Sequence, residues 1–285
     1  MNVTRRSTLL FCMIMALFYS VGCAHHSSAD RLTSGQALVP EETPSDSTAL
    51  SEPRYTYHEF DMIFVFYKTK DLAIYQKLLP HQFQMPADPL VMVFVADYYK
   101  MDKATQPYQE AAVFLLVNYE GKPAWHCVTM PVTSDEARLG GIYYLGYPKI
   151  MGDITLQRGA DQFSGVLKLN HKMILSIDLK TKNHQISNEE KQLFERLKGV
   201  PSLNIKDGQV FEPKFGDSSG QYTLLQLAEM YPDKLEVKIG KPDLVIDAVA
   251  AANYSDRLGA IFSIRPSEMV LAYYFKNKFV TGFRN

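Results

Sequence analysis

The sequence predicts a β-dominated α+β domain, folded as an open sandwich or a closed barrel, and three observations carry that prediction. Short alternating or wholly apolar runs recur from Tyr57 onward, separated by turn-forming residues. Helical spacing is confined to a few short segments. No period of about 20 to 50 residues recurs, which sets solenoids and propellers aside.

Taken in order, the chain opens on a leader. Arg5 and Arg6 precede the apolar run 9–19, and Ser7 to Gly22 is 16 uncharged residues, short of the roughly 20 a bilayer-spanning helix needs. Residues 1–22 therefore read as an export signal. Ser20-Val21-Gly22-Cys23 resembles the lipobox of bacterial lipoproteins, with Ser20 where leucine is usual. That resemblance implies cleavage before Cys23, lipidation of its sulfur, and membrane attachment in the bacterial cell envelope. Ala24 at the next position resembles outer-membrane rather than inner-membrane lipoproteins. Residues 23–54, rich in Ser, Pro, Thr and acidic residues and without apolar periodicity, read as a flexible tether.

The folded domain is expected over 55–285. Phe60, Met62, Phe64 and Phe66 alternate with Asp61, Ile63, Val65 and Tyr67, a strand buried on both faces. Leu72, Tyr75, Leu78 and Leu79 follow helical spacing and stop at Pro80. Strands follow at 90–99, 111–119 and 124–132. Ser134-Asp135-Glu136 then starts a helix that ends in a Gly-Tyr-Pro turn. Strands return at 154–157, 163–169 and 173–180, a charged helix spans 188–198, and further strands lie at 203–205, 222–227, 235–239 and 269–275.

Composition narrows function. With 46% hydrophobic and 21% charged residues, 285 residues build a core rather than a disordered or polytopic chain. The 30 basic and 31 acidic side chains nearly cancel, so no basic field exists to hold nucleic acid. Of three cysteines, Cys12 leaves with the signal and Cys23 takes lipid, so Cys127 is left without a disulfide partner and reads as a buried thiol. Gly216-Asp217-Ser218-Ser219-Gly220 spells a nucleophile elbow, yet the last histidine, His184, precedes Ser218, so the segment reads as a polar turn. No phosphate loop, dinucleotide fingerprint or zinc spacing occurs, and His58, His81, His126, His171 and His184 are scattered.

The segment with chemistry in it is 134–156. Lys149 follows Pro148 among Leu145, Tyr147, Ile150 and Met151, with no acidic residue after it until Asp153. Desolvation among large apolar side chains destabilises an ammonium and frees the amine to attack carbonyls, unless the side chain snorkels to water. Tyr147-Pro148-Lys149, after a helix with Asp135, Glu136, Gly140 and Gly141, resembles the Schiff-base lysine turn of the acetoacetate decarboxylase family. The likeness extends more thinly over most of Tyr57 to Phe275.

The resemblance implies a closed β-barrel or double-barrel core with peripheral helices, a homo-oligomer, and a lyase that forms a Schiff base between Lys149 and a small keto acid or related carbonyl compound. It implies no metal or organic cofactor. Glu110 matches one family glutamate and is the expected proton-handling acid; Tyr144 and Tyr147 are expected in the cavity wall. The chain departs from the pattern in three places. Ile150 stands where decarboxylating members carry a second lysine, Phe94 where a second glutamate falls, and Phe60 where an arginine falls. Arg54 and Arg138 are the candidates to replace that arginine. The rival reading is a non-catalytic lipoprotein that keeps the barrel as a small-ligand pocket.

Overall fold

The computed structural model describes residues 55–102, 106–213, 215–216, 221–222, 235–277 and 281–283. The expected leader, Cys23, the tether and Arg54 lie outside them.

The described residues begin with the long strand β1 (Tyr55–Thr69), helix α1 (Leu72–Leu78) and three long strands, β2 (Leu90–Asp102), β3 (Tyr108–Tyr119) and β4 (Lys122–Val132). Helix α2 (Asp135–Leu145) and the short β5 (Lys149–Met151) follow, then the meander β6 (Asp153–Arg158), β7 (Gln162–Leu169) and β8 (Lys172–Lys180). After α3 (Asn188–Lys198) come β9 (Asn204–Lys206), β10 (Gln209–Phe211), β11 (Phe215–Gly216), β12 (Gln221–Tyr222), β13 (Leu235–Ile239) and β14 (Lys241–Ile246). Helices α4 (Ala248–Ala252) and α5 (Asp256–Phe262) lead to β15 (Pro266–Asn277) and β16 (Thr281–Phe283).

Among the described residues ten strands form one sheet, β12-β11-β16-β1-β2-β3-β4-β5, with β15 also on β1 and β13 on β15. Four more, β14-β8-β7-β6, form a second sheet. The β-dominated α+β class is as expected. Closure into a barrel is not seen in these ladders: the path of the large sheet ends at β5, which pairs only with β4, in parallel.

Period-two alternation explains how the large sheet carries an apolar layer on each face. Ile63, Val65 and Tyr67 of β1 join Val91, Val93 and Val95 of β2 and the inner face of the small sheet, where Leu167, Leu175 and Ile177 are buried. The neighbouring positions Phe60, Met62 and Phe66 of β1, Met92 and Phe94 of β2 and Phe114 of β3 turn to the other face and meet α2 and α3 through Ala137 and Leu197. Lys149 and Glu110 belong to this second face.

Three elements that the apolar pattern did not mark have visible causes. Pro242 lies inside β14 opposite Leu179, which is tolerated because β14 is an edge of the small sheet. Helices α4 and α5, of five and seven residues, are too short for helical periodicity to register, and each is started by a capping side chain, Asp247 and Ser255. Of the Gly-x-Ser-x-Gly segment, Ser218 and the expected polar turn lie outside the described residues. Its first residue, Gly216, pairs antiparallel with Gln221 just after it, so a strand, not the helix of a nucleophile elbow, follows.

Candidate active site

Three elements bring the site together. Helix α2 starts at Ser134, whose Oγ accepts from the Ala137 N–H at 3.3 Å, with Asp135 and Glu136 complementing the dipole of its first turn. It stops at Gly146, in the left-handed region at φ 66°, where the Ile205 carbonyl would lie 3.0 Å from any Cβ. The chain then doubles back. The Tyr147 N–H donates to the Gly141 carbonyl at 3.0 Å, and the Met130 N–H to the Pro148 carbonyl at 3.1 Å, which docks β5 beside β4. This reversal aims Lys149 under α2.

The lysine lies in a slot cut by a missing side chain. A Cβ on Gly141 would stand 2.3 Å from Cε and 2.4 Å from Cδ of Lys149. Beyond that slot, Lys149 Nζ reaches Oε2 of Glu110 on β3 at 2.6 Å, with the two side chains only 5% and 6% exposed. The amine is therefore not isolated among apolar groups, as its local sequence suggested. Its partner comes from 39 residues upstream, set by sheet register rather than by the turn.

Rings close the remaining sides. Nζ lies 5.6 Å from the centre of Tyr108 and 5.9 Å from that of Tyr147. Tyr147 meets Phe114 edge-on at 6.4 Å, and burial pushes its phenol well above the ordinary range. Tyr144 packs against the same apolar layer. Tyr98, not anticipated as a site residue, sits across from Tyr108 on β2, while Ala96 faces Glu110, so Tyr98 is Glu110's diagonal cross-strand neighbour. Burial first, and then the Glu110 carboxylate it hydrogen-bonds, hold the Tyr98 phenol well above its usual range. The period-two pattern of β2 and β3 was the available signal for it.

The remaining candidates sort by position. Phe60 and Phe94 are buried on the face that carries the pair, 4% and 5% exposed, so apolar rings occupy two of the three positions where the sequence reads as departing from the family pattern. Arg138 turns instead to Asp135, three residues earlier, at 2.7 Å. Cys127 is a free, buried thiol, and burial pushes it well above the usual thiol range, so it is a core residue as expected. His126 packs at a tilt against Phe83 with ring centres 4.9 Å apart and donates Nδ1–H to the Leu203 carbonyl at 3.1 Å; burial pushes it down to about 4 and keeps it neutral. Among the described residues no group of three or more His, Cys, Asp or Glu is placed to hold a metal ion.

Comparison with known proteins identifies the family and the fold. The acetoacetate decarboxylase family model matches residues 39–283. The decarboxylase DEC1 of Cochliobolus heterostrophus is 30% identical over 120 residues, 42% of this chain and 46% of that protein, so the match spans just under half the relative's length. In the crystal structure of an acetoacetate decarboxylase from Legionella pneumophila, 85% of the chain superposes on 81% of this one with a TM-score of 0.59 and 17% identity. The enduracididine biosynthesis enzyme MppR, solved with pyruvate, gives a TM-score of 0.57 at 15% identity, covering 88% of this chain and 97% of its own. At these identities the likeness to the two structures is one of fold.

Proposed function

The chain belongs to the acetoacetate decarboxylase family, and from that membership we propose that it is a lyase in which Lys149 forms a Schiff base with a keto acid or related carbonyl compound. The observation that supports this is the enclosed Lys149–Glu110 contact at 2.6 Å. A proton passing from Nζ to Oε2 leaves a neutral amine, whose lone pair attacks the carbonyl carbon while the carbonyl oxygen takes up a proton from nitrogen. Glu110 then protonates that hydroxyl, water leaves, and the nitrogen lone pair completes an iminium. The iminium accepts the electron pair of a bond breaking one carbon away, the bond to a departing carbon dioxide in a β-keto acid. The enamine so formed is protonated at carbon and hydrolysed, returning the amine. Lys149 and Glu110 account for these steps without a metal or organic cofactor, the proton that replaces carbon dioxide on the product carbon coming from solvent.

The enclosure of the pair favours a second reading, a ligand-binding lipoprotein without turnover. The experiment that separates the two is borohydride trapping of the full chain with carbonyl compounds, followed by peptide mapping. The enzyme reading expects a reduced adduct on Lys149 alone and none in Lys149→Met. A Lys149→Met chain that traps or turns over carbonyl compounds as well as the parent removes the Schiff base.

The envelope placement is proposed from the leader alone. Labelling with a palmitate analogue is expected in the parent and lost in Cys23→Ala, and label that persists in the variant removes the lipid anchor.

A further inference from the structure

Lys149 is the one buried lysine or arginine among the described residues, and Glu110 already neutralises it. The half-buried cations are engaged elsewhere: Arg138 with Asp135, Lys68 with Glu268, Lys238 with Glu236, Lys206 over the Phe211 ring and Lys276 over the Tyr99 ring. What extends away from the amine is aromatic. From Tyr147, one of the rings flanking Nζ, contacts run through Phe114 to Phe94 at 5.9 Å and on to Phe64 at 5.6 Å. From Tyr108, the other, they run through Tyr98 at 4.9 Å to Phe60 at 5.2 Å.

We propose that the carbonyl compound this site takes is uncharged and apolar, an aryl or long-chain ketone or aldehyde, rather than a keto-acid anion. The proposal rests on the Schiff-base reading above and narrows its substrate. Charge counting carries it. With an uncharged carbonyl the site stays neutral throughout: Lys149 ammonium and Glu110 carboxylate become amine and carboxylic acid, then iminium and carboxylate with one water released. Glu110 can next take the proton from the carbon beside the iminium, giving a neutral enamine and a neutral acid, and return a proton to that carbon, a deuteron in heavy water once the acid has exchanged, with no net uptake of charge. A keto acid leaves one negative charge uncompensated from binding onward. Once carbon dioxide has left, its bonding pair now in the enamine, Glu110 is still ionised, so the proton the product carbon needs must come from solvent into a nearly closed site. An unpaired charge in such surroundings is strongly disfavoured.

The test uses the full chain in detergent with 4-phenyl-2-butanone, acetoacetate and pyruvate at equal concentration in heavy water. Two quantities are read: borohydride-trapped adduct on Lys149, and deuterium entering the carbons beside the ketone, by NMR. The aryl ketone is expected to give about tenfold more adduct than either acid, as disfavoured burial of an unpaired carboxylate requires, with deuteration that disappears in Lys149→Met. Adduct with acetoacetate or pyruvate at equal or greater yield overturns the uncharged-substrate inference and leaves the Schiff base standing. Adduct with none of the three, from folded protein, overturns both.

Discussion

Glu110→Gln is expected to destabilise the fold by about 3–5 kcal/mol, the range for removing one partner of a buried ion pair. The substitution keeps the shape of the side chain and leaves an oxygen to accept from Tyr98. What it removes is the negative charge 2.6 Å from a lysine that is 5% exposed. The remaining ammonium then stands among Tyr108, Tyr147 and Phe114 without compensation. Adding Lys149→Met to the same chain is expected to recover most of the loss, because an uncharged pair of similar volume has no desolvation cost to offset. Urea midpoints of the parent, both single variants and the double variant give the coupling directly. A Glu110→Gln cost under about 1 kcal/mol, the scale of an exposed pair, would show that water reaches the amine and that the enclosure described here is wrong.

The same pair marks the limit of what could be read from the sequence. Alternation located the long strands, with the first strand buried on both faces as expected: Asp61, Ile63 and Val65 are fully buried and Phe60 and Phe66 nearly so. The helix over 188–198 and the Ser134 start of α2 were legible because capping is local chemistry, and Ser187 forms a full capping box with Glu190. Lys149 was legible as buried from its apolar flanks, but its ion pair was not, since the 39-residue separation is closed by two sheet registers, β3 on β4 and β4 on β5. Tyr98 was missed for a related reason. It reads as one more residue of an alternating strand until the register of β2 on β3 sets it diagonal to Glu110. Arg138 stayed a mere candidate because the sequence offers a cation near Lys149 without placing it, and the helix pairs it with Asp135 one turn away.

Gly141→Ala is expected to separate positioning from stability. On helix propensity alone the change stabilises α2 by up to about 1 kcal/mol, since glycine is costly in a helix interior. The new methyl group, however, would lie 2.3 Å from Cε and 2.4 Å from Cδ of Lys149, and 3.0 Å from Nζ. These are atoms of a flexible side chain, so the helix can stay in place while the lysine shifts by about 1 Å within its slot, its ammonium still paired with Glu110 but off the reacting geometry. A displacement of about 1 Å at a reacting group is enough to cost on the order of a hundredfold in rate. The variant should therefore fold with a urea midpoint near the parent's while its borohydride-trappable adduct falls by about that factor. A Gly141→Ala chain that unfolds at much lower urea would mean the slot is rigid and the clash falls on the backbone. One that folds and traps ketones normally would mean the reactive amine does not work from beneath α2, and Lys149 would lose its assigned role even if the ion pair proved to be buried.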